Sequence, residues 1–405
     1  MIKLSKRVEA IKPSATLQFT ARILALKDQG VDVISLTAGE PNYPSPDQAK
    51  KAGIAAIESN FTRYTQVDGI PEMKKAIQNW YQRFYNLDFE FDEILTSTGA
   101  KHCIFNLLQS IIEEGDEVAF PAPYWVSYPD MTKLVGGIPI EIKASVHNEL
   151  KITPEQLRSS LTEKTRLFLF NNPVNPTGVV YSEAELKALA EVLRDFPNVI
   201  IASDDIYDQL YWGNESRVKS ILEVAPDLRP RTVLINSVSK SYAMCGWRIG
   251  YSVGPSELIK AMKKFQSQSL SNPCSVSQKA AIAALNLPKD ALKPQIDSYR
   301  ARYEMMYQTF SQFEGMICTK AEGAFYLFPS IEPLINAGIF KDDADFCEQL
   351  LNKVNVGVIP GSAFGMPGYF RMSLATAMDQ LEEACHRFKK FYQENILIHK
   401  NKVIS

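Results

Sequence analysis

The chain has 405 residues, 45% hydrophobic and 22% charged, an ordinary globular composition at a length that fits two or three domains. Forty-four Lys and Arg against forty-six Asp and Glu give a net charge of −2, so no basic field argues for a nucleic-acid or anionic-membrane partner. The six cysteines lie scattered without CxxC spacing and the four histidines form no HExxH or Cys/His pairing, which argues against a metal site and fits reduced thiols. No segment reaches the roughly 20 apolar residues of a membrane span; a cytoplasmic location is expected.

In chain order, Pro13-Ser14 reads as a helix start before Ala15 to Gln29, and Val31 to Leu36 as a short strand leading into the loop Thr37-Ala38-Gly39-Glu40-Pro41-Asn42. From about residue 46 to 287, short apolar runs alternate with amphipathic stretches, the pattern of an α/β unit with a mostly parallel sheet. Strands are expected at Glu93 to Ser97, Glu117 to Phe120, Arg166 to Phe170, Asn198 to Ser203 and Arg231 to Asn236. Each ends in a polar or Gly/Pro-rich segment, and in an open α/β sheet those carboxyl ends converge on one crevice. Past Pro288 the pattern becomes a long charged helix, Lys289 to Phe313, then strands near Ala324 to Phe328 and Tyr369 to Leu374. Three units follow: an N-terminal segment, 1–45, packing with the small domain; a large domain, 46–287; and a small α+β domain, 288–405. Asn395 to Ser405 reads as a frayed tail.

The chemistry-bearing residues sit at the strand ends. Lys240, in Ser237-Val238-Ser239-Lys240, lies eight residues before Arg248 in Gly246-Trp247-Arg248-Ile249-Gly250. An amine beside small hydroxyls and a guanidinium suits a phosphate-bearing aldehyde cofactor, although lysine beside serine is also common loop composition. Asp204 follows a buried-strand pattern and needs a positive partner such as a pyridinium N–H; helix capping by Asp204 or Asp205 is the plain alternative. Asn175 and Tyr207 could donate to a ring oxygen. Thr98-Gly99-Ala100-Lys101 opens a helix whose free amides suit a phosphate. Trp125 could stack on a ring or serve the core. Arg371 alternates with apolar neighbours, so a surface arginine is the default and a carboxylate clamp the functional reading.

Taken together these motifs resemble the class I aminotransferases of fold type I, pyridoxal-phosphate enzymes, and within them the bacterial aspartate aminotransferase subgroup that includes prephenate aminotransferases. The segments that carry the resemblance are Asn175-Pro176-Thr177-Gly178, Asp204-Asp205-Ile206-Tyr207, Ser237-Val238-Ser239-Lys240 and Gly246-Trp247-Arg248-Ile249-Gly250, in that order. The resemblance implies a seven-stranded, mostly parallel sheet between helices. It implies Lys240 as the Schiff-base lysine and proton shuttle, Asp204 as the pyridinium partner, and Asn175 and Tyr207 on the ring oxygen. Gly99, Ala100, Lys101, Ser237 and Arg248 would surround the phosphate of pyridoxal 5′-phosphate, Trp125 would stack on the ring, and Gly39 and Arg371 would receive the substrate α-carboxylate. Tyr64 would reach the phosphate of a neighbouring subunit, which implies a homodimer with shared sites. Cis peptides are implied at Ala122-Pro123 and Asn175-Pro176.

For substrate, the resemblance points to small amino and oxo acids. Ser267 stands where the animal-type enzymes carry an arginine for the distal carboxylate, before Ser271-Asn272-Pro273, and no arginine lies between Arg248 and Arg300. The bacterial subgroup associates this task with a lysine at the place of Lys101, aided by a Lys-Pro-Ser-Ala-Thr segment, here Lys12 to Thr16. Transamination of aspartate with 2-oxoglutarate by a ping-pong mechanism is the first expectation; prephenate, or a broader acidic and aromatic range, is the alternative. A carbon–sulfur lyase on the same fold is a further one.

Overall fold

The computed structural model of the chain describes residues 2–11 and 15–404, and the side chains of all of these except 15–18 and 396–404. The strands, in chain order, are β1 (Ile34–Ser35), β2 (Ile94–Ser97), β3 (Glu117–Ala122), β4 (Ile138–Lys143), β5 (Thr165–Asn171), β6 (Ile200–Asp204), β7 (Thr232–Ser237), β8 (Gly250–Val253), β9 (Tyr326–Leu327), β10 (Val356–Gly357), β11 (Ile359–Pro360) and β12 (Phe370–Ser373). Seven form one sheet in the order β2-β8-β7-β6-β5-β3-β4. β8 runs antiparallel to both neighbours and the other pairs are parallel.

β5 explains why this sheet needs helices on both faces. Its Phe168 and Phe170 pack into one core with Ile77, Leu186 and Leu189, while Leu167 and Leu169 pack into another with Leu107 and Phe120. A strand apolar on both faces is stable only when covered twice. The covering helices carry readable starts: Thr153, Ser182 and Ser220 each close a capping box with the residue three positions on.

All five strands expected in the large domain are present, and two more complete the sheet. β4 escaped the sequence pattern because Pro139 and Glu141 interrupt its apolar run, which an edge strand tolerates. β8 is four residues long and begins at the glycine that closes the Trp247-Arg248 motif. The expected helix over 289–313 begins instead as a 3-10 turn, Lys289–Leu292, followed by Lys293–Phe310. The expected frayed tail is a correction: one helix runs from Met378 to Ile404. It contains no Gly or Pro, and Phe388 and Phe391 anchor it in a core shared with Tyr326, Val356 and Phe370.

β11, β12 and β9 form a three-stranded antiparallel sheet, with Ile359 opposite Arg371 and Ser373 opposite Tyr326. β1, from the N-terminal segment, pairs in parallel with β10. This pairing carries the chain from the C-terminal sheet through Thr37 to Gly39 at the edge of the large sheet.

Candidate active site

The loops after β2, β3, β5, β6 and β7 meet residues of the N-terminal segment and the C-terminal sheet around one cavity of about 290 Å³. Ten of the residues singled out by sequence line it: Gly39, Ala100, Lys101, Trp125, Asn175, Asp204, Tyr207, Lys240, Arg248 and Arg371.

β2 delivers the first wall. After Ser97 the chain turns at Gly99, φ +88°, and starts the helix Ala100–Ile111, whose N-terminus no side chain caps. Gly99 is required there: a β-carbon would lie 2.3 Å from Nη2 of Arg248. Arg248 itself is held by the carbonyls of Cys245 (2.8 Å) and Thr98 (3.2 Å). Free amides at a helix start with a guanidinium against them make a cradle for a doubly charged anion.

β6 ends on Asp204, 4% exposed. Its Oδ2 accepts from Tyr128 (2.6 Å), whereas Oδ1 is buried without a partner among the described residues. Burial pushes its carboxyl up to about 6, against the opposing pull of the Tyr128 hydroxyl, the Ile206 amide and the Lys240 charge. Next to it on β5, Asn171 donates to the Asp204 carbonyl (2.7 Å) and accepts from the Asn175 amide (2.8 Å). The Asn175 side-chain oxygen accepts from Nη1 of Arg371 (3.0 Å), so its amide NH₂ is the end left for a ligand. Tyr207 shares a hydrogen bond with Tyr326 (2.8 Å), and burial holds its phenol well above the usual range.

Lys240 donates to the carbonyl of Gly39 (2.5 Å) and lies 3.7 Å from Sγ of Cys245. Arg371 is not the exposed residue that its strand pattern suggested; it is 3% exposed, and burial lowers its pKa. Nη2 donates to the Thr37 carbonyl (2.8 Å), and the Tyr326 and Phe364 rings flank the guanidinium at 4.5 and 4.8 Å. Lys101, exposed, sits 4.9 Å over the Trp125 ring. Packing around its ammonium, then the charges of Arg248 and Lys240, lower its pKa.

Four expectations do not fall on the cavity. Ser237 is buried beneath it, its hydroxyl accepting from the Ser239 amide (3.1 Å), and Ser239 takes the place at the wall. Gly99 acts from behind, through Arg248. Tyr64 is 91% exposed and away from its own chain's cavity. Thr16 falls in the helix Ala15–Asp28, but its side chain lies outside the described residues. The cis bonds are at Ala122-Pro123, as expected, and at Asn172-Pro173 in place of Asn175-Pro176. Asn172 makes the turn, its Oδ1 accepting from the Tyr181 amide (3.0 Å), and adjacent Asn-Pro steps are indistinguishable by pattern.

Tyr128, Tyr326, Thr37 and Cys245 are site residues that the sequence did not single out. Tyrosine among apolar neighbours has the same pattern whether it fills a core or faces a cavity, so no signal marked Tyr326. Tyr128 could have been found, three residues past Trp125 at the start of a helix.

The residues suit pyridoxal 5′-phosphate. Among the described residues Lys101, Lys240, Arg248 and Arg371 line the cavity against one carboxyl, Asp204, a surplus of positive charge that calls for anions. The unpartnered buried oxygen of Asp204 calls for a donor such as a protonated ring nitrogen. Fold and cavity together define a fold type I pyridoxal-phosphate enzyme.

Comparison with known proteins agrees. The family model described as "Aminotransferase class I and II" matches residues 31–388. A probable aspartate/prephenate aminotransferase of Rickettsia felis is 45% identical over 392 residues, 96% of each chain. The aspartate aminotransferase of Bacillus subtilis is 43% identical over 97% of this chain and 100% of its own. Among solved structures, the aspartate aminotransferase of Rhizobium meliloti superposes with a TM-score of 0.92 at 40% identity, covering 97% and 99% of the two chains. That of Thermus thermophilus with maleate gives 0.90 at 36%, covering 96% and 100%. The chain belongs to the class I and II aminotransferase family and is a pyridoxal-phosphate-dependent aminotransferase.

Proposed function

We propose that the chain transfers the amino group of aspartate to 2-oxoglutarate, giving oxaloacetate and glutamate, and that prephenate is a second substrate. The observation that carries this reading is that two cationic side chains from different parts of the fold, buried Arg371 on β12 and Lys101 after β2, line one cavity together with Lys240. Two such positions match the two carboxylates of aspartate or 2-oxoglutarate. Lysine in place of an arginine at the distal position supplies charge without a rigid fork, which leaves room for a less exclusive choice of acid. Relatives named for both aspartate and prephenate favour the second substrate.

In this reading Arg371 binds the α-carboxylate, aided by the backbone at Gly39, and Lys101 receives the distal one. Asp204 holds the cofactor's ring nitrogen, Asn175 and Tyr207 donate to the ring oxygen, and Trp125 covers the ring. Arg248 and the amides of Ala100 and Lys101 hold the phosphate, with Gly99 behind Arg248 and Ser237 supporting Ser239 from below. When bound, pyridoxal phosphate supplies an aldehyde that condenses with amines and a ring that draws electrons from the substrate's Cα. Lys240, released from the Gly39 carbonyl, takes the proton from that Cα and delivers it to the cofactor side, and the same residues run the second half in reverse. Asp204, kept charged by its ring partner, favours the electron-poor ring.

The reading includes a homodimer. Ile54 and Ile57 on the helix Asp47–Glu58, and Tyr64 beyond it, are large side chains left 56%, 58% and 91% exposed. A second copy would cover them and bring Tyr64 of the partner subunit to the phosphate. It also includes a division into 1–45 with 288–405 against 46–287, and a cytoplasmic location consistent with six free thiols.

The test is a comparison of kcat/KM for aspartate, glutamate, prephenate and phenylalanine with suitable acceptors. Aspartate should lead, prephenate should be used, and Lys240→Ala should abolish every reaction. An enzyme that prefers phenylalanine, or that releases ammonia without an oxo-acid acceptor, would refute the reading.

A further inference from the structure

One buried side chain outside these roles touches three parts of the site. Tyr326, on β9 opposite Ser373 of β12, is fully buried from solvent yet lines the cavity. Its ring carries the Arg371 guanidinium at 4.5 Å, with Phe364 flanking the same group at 4.8 Å. Its hydroxyl lies 2.8 Å from that of Tyr207. The same hydroxyl stands 2.8 Å from where a β-carbon on residue 39 would be, so Gly39 can approach only because it has none. The Gly39 carbonyl in turn accepts from Lys240.

We propose that Tyr326 is a positioning residue that keeps the carboxylate clamp, the ring-oxygen donor and the lysine's resting contact in register. The inference rests on the roles given above to Arg371 and Tyr207. Arg371 has one hydrogen bond on each terminal nitrogen, to Asn175 and Thr37, and its Nε has no partner among the described residues. Two hydrogen bonds leave the guanidinium free to tilt, and the aromatic faces remove that freedom while adding cation–π attraction. The hydroxyl pair shares one proton between its oxygens; with Tyr326 as donor, the Tyr207 proton is directed to the ligand and Tyr207 becomes the stronger donor.

The ring and the hydroxyl therefore do separable work, which two variants of the loaded enzyme distinguish. Tyr326→Leu removes both, Tyr326→Phe only the hydroxyl, and Arg371→Leu is the control. Two quantities are read: the dissociation constant of maleate, a dicarboxylate with no amino or oxo group to exchange, and the pH midpoint of the bound cofactor's visible absorbance. Tyr326→Leu should weaken maleate by about tenfold or more. Tyr326→Phe should leave maleate within about twofold and raise the absorbance midpoint by about half a unit, because a weaker donor at Tyr207 stabilises the deprotonated form less. Maleate binding unchanged in Tyr326→Leu but lost in Arg371→Leu would overturn the inference, as would a wild-type midpoint in Tyr326→Phe. The Tyr326→Phe arm decides alone if the leucine variant does not fold. Unchanged maleate binding in Arg371→Leu would overturn the Arg371 role and this inference with it, a failure identified by that variant by itself.

Discussion

Asp204→Asn separates the cost of a buried carboxylate from its use. In the cofactor-free protein burial lifts Asp204 from 3.8 to about 6. At about 1.4 kcal/mol per pH unit, ionising it in the native state costs about 3 kcal/mol. The sign follows from proton counts. Between about pH 4 and 6 the native state holds a proton at Asp204 that the unfolded state has lost, so stability is full below the lower value and falls as pH rises through the higher one. Asparagine removes that loss but places an NH₂ where Oδ1 has no partner among the described residues, a penalty of about 1–3 kcal/mol at any pH. The variant should therefore be equal to or less stable than wild type at pH 4.5 and equal or more stable at pH 8. The difference between the two proteins should swing by about 2 kcal/mol between pH 4.5 and 8, since about 1 of the 3 kcal/mol is already lost at pH 4.5. Urea unfolding of both cofactor-free proteins at pH 4.5, 6 and 8 measures it; Asp208, raised by burial, cancels in the comparison, whereas Asp205, raised by burial and in part by the Asp204 charge, loses that part in the variant and moves the difference in the same direction. With cofactor bound, losing the charged partner of a ring nitrogen should slow the half-reaction with aspartate by about a hundredfold or more. A stability difference independent of pH, or a half-reaction slowed less than about tenfold, would refute the reasoning.

Gly99→Ala should weaken cofactor binding by about tenfold or more, because a β-carbon meets Arg248 at 2.3 Å on a backbone at φ +88°; fluorescence titration of the cofactor-free protein with pyridoxal phosphate reads this directly, and unchanged affinity would remove Gly99 and Arg248 from the phosphate site. Lys101→Ala should cut kcat/KM for aspartate by about tenfold or more and leave phenylalanine nearly unchanged. Since packing and the neighbouring charges lower the Lys101 ammonium below 10.5, aspartate binding should be lost on raising pH earlier than an ordinary lysine would allow. Lys101→Arg should push that limb to higher pH; a limb that does not move would assign it to another group.

The catalytic ends of the sheet were legible because each is a buried strand stopping at a polar residue. Asp204 after Ile200–Ser203 announces itself, since a carboxylate at such a place must be partnered. Arg371 was ambiguous. Its strand alternation fits a surface residue equally well, and only the packing of the Tyr326 and Phe364 rings against its guanidinium makes it a buried cation. The turn at Asn172-Pro173, the edge strand β4 and the helix through Ile404 were misread or missed for a common reason, that local pattern is degenerate where tertiary contacts choose.

By itself the sequence determined the alternation of strands and helices, and with it the sheet edge at which Gly99, Asn175, Asp204 and Lys240 gather, because period, turn chemistry and the cost of burying polar groups are local properties. What only the tertiary structure decided is how residues 45 to 201 positions apart share protons and charge: Tyr128 on Asp204, Asn175 on Arg371, Lys240 on Gly39, and Tyr326 between Arg371 and Tyr207. Such contacts depend on distances set by how helices, the N-terminal segment and the C-terminal sheet pack against the large sheet, and no spacing along the chain encodes them.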